Sequence, residues 1–261
     1  MEFESQKEIY RIATASGNSS HVILPKDWEG HKILLTRVDI EPKEAIMNLL
    51  SPYLKDIIGI YLYGSYARKE NKEGSDIDVI VITNKKIKVE KKKPFDLIQI
   101  ERDKINTFKR INPVLFYSFV FESESIINNS FLEDLRKEQI NKDFFKEFFN
   151  DTNRVISINQ ELLELDKSQN QEYTDNNLIY SLILRLRAVY IIETLLKREK
   201  FSNNFFLKFL RNNLVHNPDK YYEVYQNIRN DKKIEKKITI GEAEKLLNLL
   251  NEVTSKLNNA K

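Results

Sequence analysis

The stretch Tyr61–Thr83 constrains this chain most, because it sets two apolar runs on either side of a polar turn that ends in a pair of carboxylates. Ile57–Tyr63 is a short apolar and aromatic run halted by Gly64, which predicts a buried strand stopping in a tight turn. Asp76-Ile77-Asp78-Val79-Ile80-Val81-Ile82 predicts a second strand. Strand side chains alternate between faces, so Asp76 and Asp78 share one face while Ile77 points to the other. Like charges held that close in an apolar strand repel strongly unless a cation lies between them. Oxygen ligands in a chain without cysteine favour Mg²⁺ or Mn²⁺ over zinc. Gly64 lets the backbone approach a ligand closely, and Ser65 offers a hydroxyl. The residues after them can open a short helix whose free N–H groups attract anions. A phosphate cradle therefore faces a metal-binding pair.

The spacing Gly64-Ser65, ten residues, Asp76-Ile77-Asp78 resembles the signature of the nucleotidyltransferases of the DNA polymerase β superfamily, especially the minimal nucleotidyltransferases. The resemblance covers Ile57 to Ile100. It implies a third carboxylate from a neighbouring strand, for which Asp96 in Pro94-Phe95-Asp96-Leu97-Ile98-Gln99-Ile100 is the candidate. It further implies that Asp76 and Asp78 bind two Mg²⁺ ions and that Asp96 holds one of them and helps deprotonate an acceptor hydroxyl. Gly64 and Ser65, assisted by Arg68, would bind the β- and γ-phosphates of a nucleoside triphosphate. The implied reaction is transfer of a nucleoside monophosphate, with AMP from ATP as the default, and release of pyrophosphate. One departure is Lys69, where many minimal members carry Gly after the Ala-Arg pair; it bears on the local turn and not on the carboxylates.

With 261 residues the chain can hold one large domain or two to three small ones, with enough residues to bury real cores. The expected class is α+β: a small N-terminal β module over residues 1–40, a mixed-sheet nucleotidyltransferase domain over 41–140, and a helical bundle over 141–261. Charge is nearly balanced, 42 basic residues against 39 acidic, a net of +3, which gives no global nucleic-acid signature. Together with the absence of a clear basic stripe, this favours a protein hydroxyl or a small molecule over RNA as the acceptor. No apolar run approaches the roughly twenty residues of a membrane span, and no signal-peptide pattern opens the chain, so a cytoplasmic protein is expected.

In the first forty residues, Glu8–Thr14 predicts a strand, Ser16–Ser20 a turn, His21–Pro25 a strand, Lys26-Asp27-Trp28 a helical turn and His31–Val38 a further strand. This order resembles the AbrB-like swapped-hairpin module, which implies a homodimer and, in many members, DNA contact. Here that contact would run through Arg11, Lys26 or Arg37. A unit so small rarely has a sufficient core of its own, so dimerisation or packing is the plainer role.

Further on, Pro42 and Glu44 suit a helix start. Lys85–Lys93, with six lysines in nine residues, predicts a solvated loop or a phosphate contact. Ile105–Arg110 predicts a helix, Val114–Phe121 a last strand and Leu132–Lys137 a surface helix. Beyond Asp143 the periodicity is helical. Phe144, Phe145, Phe148 and Phe149 mark one face, Asn177–Lys197 a buried central helix, and Phe201–Leu214 and Ile240–Leu257 the rest of a bundle. Arg185 and Arg187 interrupt the central helix and need anionic partners, either a carboxylate such as Glu193 or a ligand phosphate. Arg211 and His216 resemble the Arg-x4-His pattern of HEPN ribonucleases, although Asn217-Pro218 places His216 equally well at a helix end. Two alternatives to the transferase therefore stand: an AbrB-like DNA-binding regulator of the toxin-antitoxin type that senses nucleotide, and a HEPN-like ribonuclease.

Overall fold

A computed structural model describes residues 9, 11, 13–36, 41–72, 74–90, 92–214 and 218–259. The chain divides into two compact units, Met1–Ile40 and Glu41–Lys261. In the first, strands β1 (Thr14–Ser16) and β2 (Ser19–His21) pair antiparallel with Ser16 opposite Ser19. The turn is thus only Gly17-Asn18, with Gly17 at φ +57°, because a two-residue loop lets pairing continue to its edge. The expected turn residues Ser16, Ser19 and Ser20 are strand, and the strands expected over His21–Pro25 and His31–Val38 are not formed beyond His21 in the described residues. Of the strand expected over Glu8–Thr14, three residues lie outside the described ones, and of the other four only Thr14 is strand. Lys26–Trp28 does form a 3-10 turn.

The second unit opens with helix α1 (Pro42–Leu50), which has Pro42 at its first position. Strand β3 (Ile57–Tyr63), the one-turn helix α2 (Gly64–Ala67), strand β4 (Ile77–Thr83) and strand β5 (Phe95–Glu101) follow. Helices α3 (Ile105–Ile111) and α4 (Pro113–Glu122), strand β6 (Glu124–Ile127) and helix α5 (Asn129–Arg136) complete the sheet region. The sheet order is β5-β4-β3-β6; β4 and β5 run parallel and the other pairs antiparallel. The segment expected as a last strand, Val114–Phe121, is instead helix α4. Its β-branched and aromatic content is the packing of a helix buried nearly all round, with Phe116, Tyr117, Phe119 and Val120 all enclosed, and Pro113 pre-sets its first turn.

The remaining elements are α6 (Lys146–Ser168), β7 (Tyr173–Thr174), α7 (Asn176–Leu196), α8 (Asn203–Asn213), α9 (Pro218–Arg229), β8 (Ile238–Thr239) and α10 (Ile240–Asn259). Of the four phenylalanines expected on one face, only Phe145 and Phe149 are buried. One sheet face packs Ile60, Leu62, Ile77, Val79 and Val81 on α1 residues Ile46 and Leu50. The other joins Tyr61, Ile80, Ile82 and Ile100 to α4 and to α7 and α10 in a single continuous core. The sheet and the helices are therefore welded through one face, and the positions that alternate onto that face decide what the helices look at. Among the described residues no helix is long and apolar enough to cross a membrane.

Candidate active site

Two adjacent strands carry the carboxylates expected from the sequence. Asp78 on β4 is the register partner of Tyr63 on β3 and of Asp96 on β5. Asp78 has the same parity as Ile80 and Ile82, and Asp96 the same as Ile98 and Ile100, so both lie on the helix-covered face; Asp76, just before β4, follows that parity. Asp76 and Asp96 are exposed at the rim and Asp78 is half-buried. The Asp78 carboxyl is pushed up to about 6, first by burial and then by Asp96, with Asp76 adding a little; Arg229 and Arg68 pull it the other way.

Among the described residues no three carboxylates or imidazoles stand close enough together to form a ready-made metal centre. The donor set nonetheless suits a hard divalent cation. Its ligands are all oxygen, and Asp78 carries a charge whose cost of desolvation and repulsion such a cation would remove.

Gly64 begins α2 at φ +72°, and a Cβ there would come 2.7 Å from the Asp78 Cγ. No larger residue fits, so the turn passes directly over the carboxylate and brings Gly64 and Ser65 beside it. Lys69 closes the same turn at φ +58°, the left-handed conformation that the glycine of many minimal members would adopt freely.

The structure gives Arg68 protein partners. Its Nη1 donates to Glu122 at 2.6 Å and its Nε to Glu70 at 3.1 Å, and its guanidinium lies 5.3 Å from the Phe201 ring centre. Burial pushes Glu122 up, and the ion pair with Arg68 offsets only part of that. Glu70 in turn accepts from Ser202 Oγ at 2.6 Å and from the backbone and side-chain nitrogens of Asn203 at 3.1 Å, at the start of α8. Burial acts to raise Glu70, but the hydrogen bonds from Ser202, Asn203 and Arg68 outweigh it and hold the carboxyl below its ordinary value. Arg68 thus acts on Asp78 through its charge while its N–H groups hold the turn.

The helices supply two further cations. Arg187 on α7 lies 4.6 Å over Phe201 and points a nitrogen at Asn203 Oδ1 at 3.4 Å. Its charge reaches Tyr63, whose phenol burial pushes up most strongly, followed by Glu122. Arg229, exposed at the end of α9, is the largest cationic influence on Asp78. Arg185 is satisfied elsewhere, by Asp151 at 2.6 Å, and Glu193 pairs with Lys197 rather than with either arginine. Arg211 pairs with Asp219 at 2.6 Å, and His216 lies outside the described residues. Sequence reasoning missed Glu70, Glu122, Asn203 and Arg229. An acid two places after Arg68 was a usable signal for Glu70; Arg229 ends an amphipathic helix among other charged residues and gave none.

The family model described as "Polymerase beta, Nucleotidyltransferase" matches residues 44–131. That segment is similar to a nucleotidyltransferase domain. The matched segment contains Gly64, Ser65, Asp76, Asp78 and Asp96; the helices from α6 onward lie outside the match. No curated protein matches the chain. Among solved structures it is similar to a nucleotidyltransferase-like protein from Exiguobacterium sibiricum, at 14% identity over 82% of this chain and 75% of that one, with a TM-score of 0.39. It is also similar to spectinomycin adenyltransferase AAD(9) from Enterococcus faecialis, solved with ATP and spectinomycin, at 13% identity over 82% of this chain and 98% of that one, with a TM-score of 0.43. Likenesses this loose carry no argument about activity.

Proposed function

We propose that the chain transfers a nucleoside monophosphate, AMP from ATP by default, to a hydroxyl acceptor with release of pyrophosphate. The observation that carries this reading is the Gly64 turn lying against the Asp78 carboxylate, with Asp96 in register beside it, inside the segment that matches the nucleotidyltransferase family. Residues 41–140 form the nucleotidyltransferase domain and residues 141–261 the helical wall of one cleft. Asp76, Asp78 and Asp96 would hold two Mg²⁺ ions, Mn²⁺ being an equivalent; when bound, these supply positive charge against the triphosphate. Gly64 and Ser65 hold the β- and γ-phosphates, with Arg68 adding charge from behind the turn and Arg187 and Arg229 facing them from the helices. Asp96 takes the proton of the acceptor hydroxyl. The acceptor's hydroxyl oxygen forms the new bond to the α-phosphorus as the bond from that phosphorus to the bridging oxygen of the β-phosphate breaks. The electrostatic part of this assignment rests on Arg229 and Arg68, whose charges act on Asp78.

For residues 1–40 we propose a dimerising module. Support comes from the exposed Ile23, Leu34 and Leu35 and from the lack of any buried side chain among its described residues.

The deciding experiment incubates the purified chain with α-³²P nucleoside triphosphates and Mg²⁺, with and without cell lysate, and follows label into protein, RNA and small molecules. Transfer that disappears in Asp76→Ala/Asp78→Ala supports the reading; transfer that survives it overturns the reading.

A further inference from the structure

The segment 85–93 between β4 and β5 is not an ordinary solvated loop. Six lysines and one glutamate give it a charge of +5, so the other residues net −2 against +3 for the whole chain. The positive balance of the protein therefore lies in nine residues. The segment is also anchored. Ile87 is buried, Val89 packs on the cluster beneath β4, and Gln99 on β5 holds the Ile87 backbone. With its amide oriented to satisfy both ends, Gln99 donates to the Ile87 carbonyl at 2.8 Å and accepts its N–H at 2.9 Å. Over 86–89 alternation turns the apolar residues in and leaves Lys86 and Lys88 exposed; Lys92 and Lys93 are exposed as well, where the chain turns into β5. Lys85 pairs with Asp56 at 3.1 Å, whereas Lys86, Lys88, Lys92 and Lys93 have no carboxylate partner among the described residues.

The row ends at the reacting side of the sheet. The Pro94 carbonyl accepts the Ile77 N–H at 2.8 Å, which sets Lys92 and Lys93 beside the strand ends that carry Asp76, Asp78 and Asp96. β5 is the sheet edge, and the Gly64 turn follows β3, two strands and so roughly 9–10 Å away. Lys92 and Lys93 thus stand at the Asp96 end of the edge strand and not at the phosphate cradle, while Lys86 and Lys88 lie farther along that edge, level with Gln99. We propose that Lys86, Lys88, Lys92 and Lys93 bind the phosphodiester backbone of a single nucleic-acid strand and deliver its terminal hydroxyl to Asp96. Unpaired cations spread along one edge of the sheet suit a partner that carries one negative charge per repeat, and a nucleic-acid end also supplies the sugar hydroxyl that the reaction needs. This inference rests on the transferase reading above.

The test uses the full chain and 5′-fluorescein-labelled 20-nucleotide RNA and DNA strands with free 3′-hydroxyls, followed by anisotropy from 50 to 300 mM salt. The comparison is with Lys86→Gln/Lys88→Gln/Lys92→Gln/Lys93→Gln and with a control, Lys232→Gln/Lys233→Gln/Lys236→Gln/Lys237→Gln, that removes the same charge elsewhere. The first variant is expected to bind at least about tenfold more weakly at low salt, with a log–log salt slope shallower by about two to three, since each phosphate contact on a single strand contributes roughly 0.7. The control is expected to keep the wild-type curve. Which strand binds tighter, RNA or DNA, identifies the source of the backbone. No wild-type binding at 50 mM salt, equal loss in both variants, or equally tight binding of polyglutamate would overturn the proposal. Should the quadruple variant fail to fold, Lys92→Gln/Lys93→Gln is read in the same way. Mg²⁺-ATP affinity is measured in parallel: its absence in the wild type would count against the transferase reading itself, and its retention in the lysine variant separates the two outcomes.

Discussion

Both carboxylate oxygens of Glu70 lie 3.1 Å from the backbone nitrogen of Asn203, so the end of the phosphate turn caps the start of α8. Because Asn203 also receives Arg187 and the Tyr222 hydroxyl, this one carboxylate fixes the turn against three helices. Glu70→Ala is expected to remove about 2 kcal/mol of charge-assisted hydrogen bonding and lower Tm by roughly 4–8 °C. It is also expected to weaken ATP binding about tenfold, a loss of about 1.4 kcal/mol. Glu70 is held below its ordinary 4.5, so its contribution is full above that pH and is lost as pH falls through the folded value. Differential unfolding of wild type and variant from pH 7 to pH 3 should show the gap closing at the acid end.

Gly64 meets two demands at once, a positive φ and clearance for Asp78. Gly64→Ala is expected to displace the Asp78 carboxylate and to lower nucleotide transfer by about a hundredfold, which is about 2.7 kcal/mol of transition-state stabilisation. Gly74→Ala is the control, since Gly74 has φ +79° with open space around its Cβ position. That variant should show only the backbone strain of about 1–2 kcal/mol and retain transfer. Equal activity losses in both would show that strain, and not the approach to Asp78, governs the site.

Lys69 bears a side chain where the chain takes φ +58°. Lys69→Gly relieves the left-handed strain of about 1 kcal/mol but adds freedom to the unfolded chain, so a net gain of a few tenths of a kcal/mol in stability is expected. Urea midpoints at pH 7 measure this. A fall in midpoint would mean that the lysine stem contributes packing that outweighs its strain.

Asp78 runs the opposite way from Glu70. Its folded pKa of about 6 is above its ordinary 3.8, so its contribution is fully present below 3.8 and is lost as pH rises through 6. Without metal, Asp78→Asn should therefore be more stable than wild type at pH 8, by about 1–2 kcal/mol after allowance for solvent screening, and equal to it near pH 3.5. Adding Mg²⁺ at pH 8 should raise the wild-type Tm and leave that of Asp78→Asn nearly unchanged, as a cation bound by this cluster requires. Thermal scans with EDTA and with Mg²⁺ give both readings.

What the sequence made legible follows from how local each signal is. The β3–turn–β4 unit could be read because Gly64, Ser65 and the alternating Asp76-Ile77-Asp78 state their geometry within one stretch, α1 and α10 because their apolar residues recur at the helical period, and α7 because its apolar run is too long for a strand. Val114–Phe121 could not, because a short run that is apolar on all sides has no period, and composition alone favoured a strand. The clasp of Arg68, Glu70, Glu122 and Asn203 joins positions up to 133 residues apart, so no spacing announces it. Arg187 was visible as a charge in a buried helix, but its use of Phe201 and Asn203 in place of a carboxylate belongs to the tertiary packing.

Arg229 gives the sharpest separation between nucleotide binding and fold. It is exposed, lies at the end of α9, and is the foremost positive influence on Asp78, so its removal takes charge from the cleft without opening a core. If it faces the β- and γ-phosphates, Arg229→Ala should raise the Kd for Mg²⁺-ATP about tenfold while AMP binding and Tm stay near wild type. Tenfold corresponds to about 1.4 kcal/mol, within the range of one charge-assisted contact. Arg229→Lys should restore part of the loss, since a point charge satisfies the electrostatic part of the contact but not a forked geometry. Isothermal titration with ATP, ADP and AMP measures the series. Equal weakening of all three nucleotides would place Arg229 at the base or sugar instead, and an unchanged ATP affinity would remove it from the cleft's cationic wall.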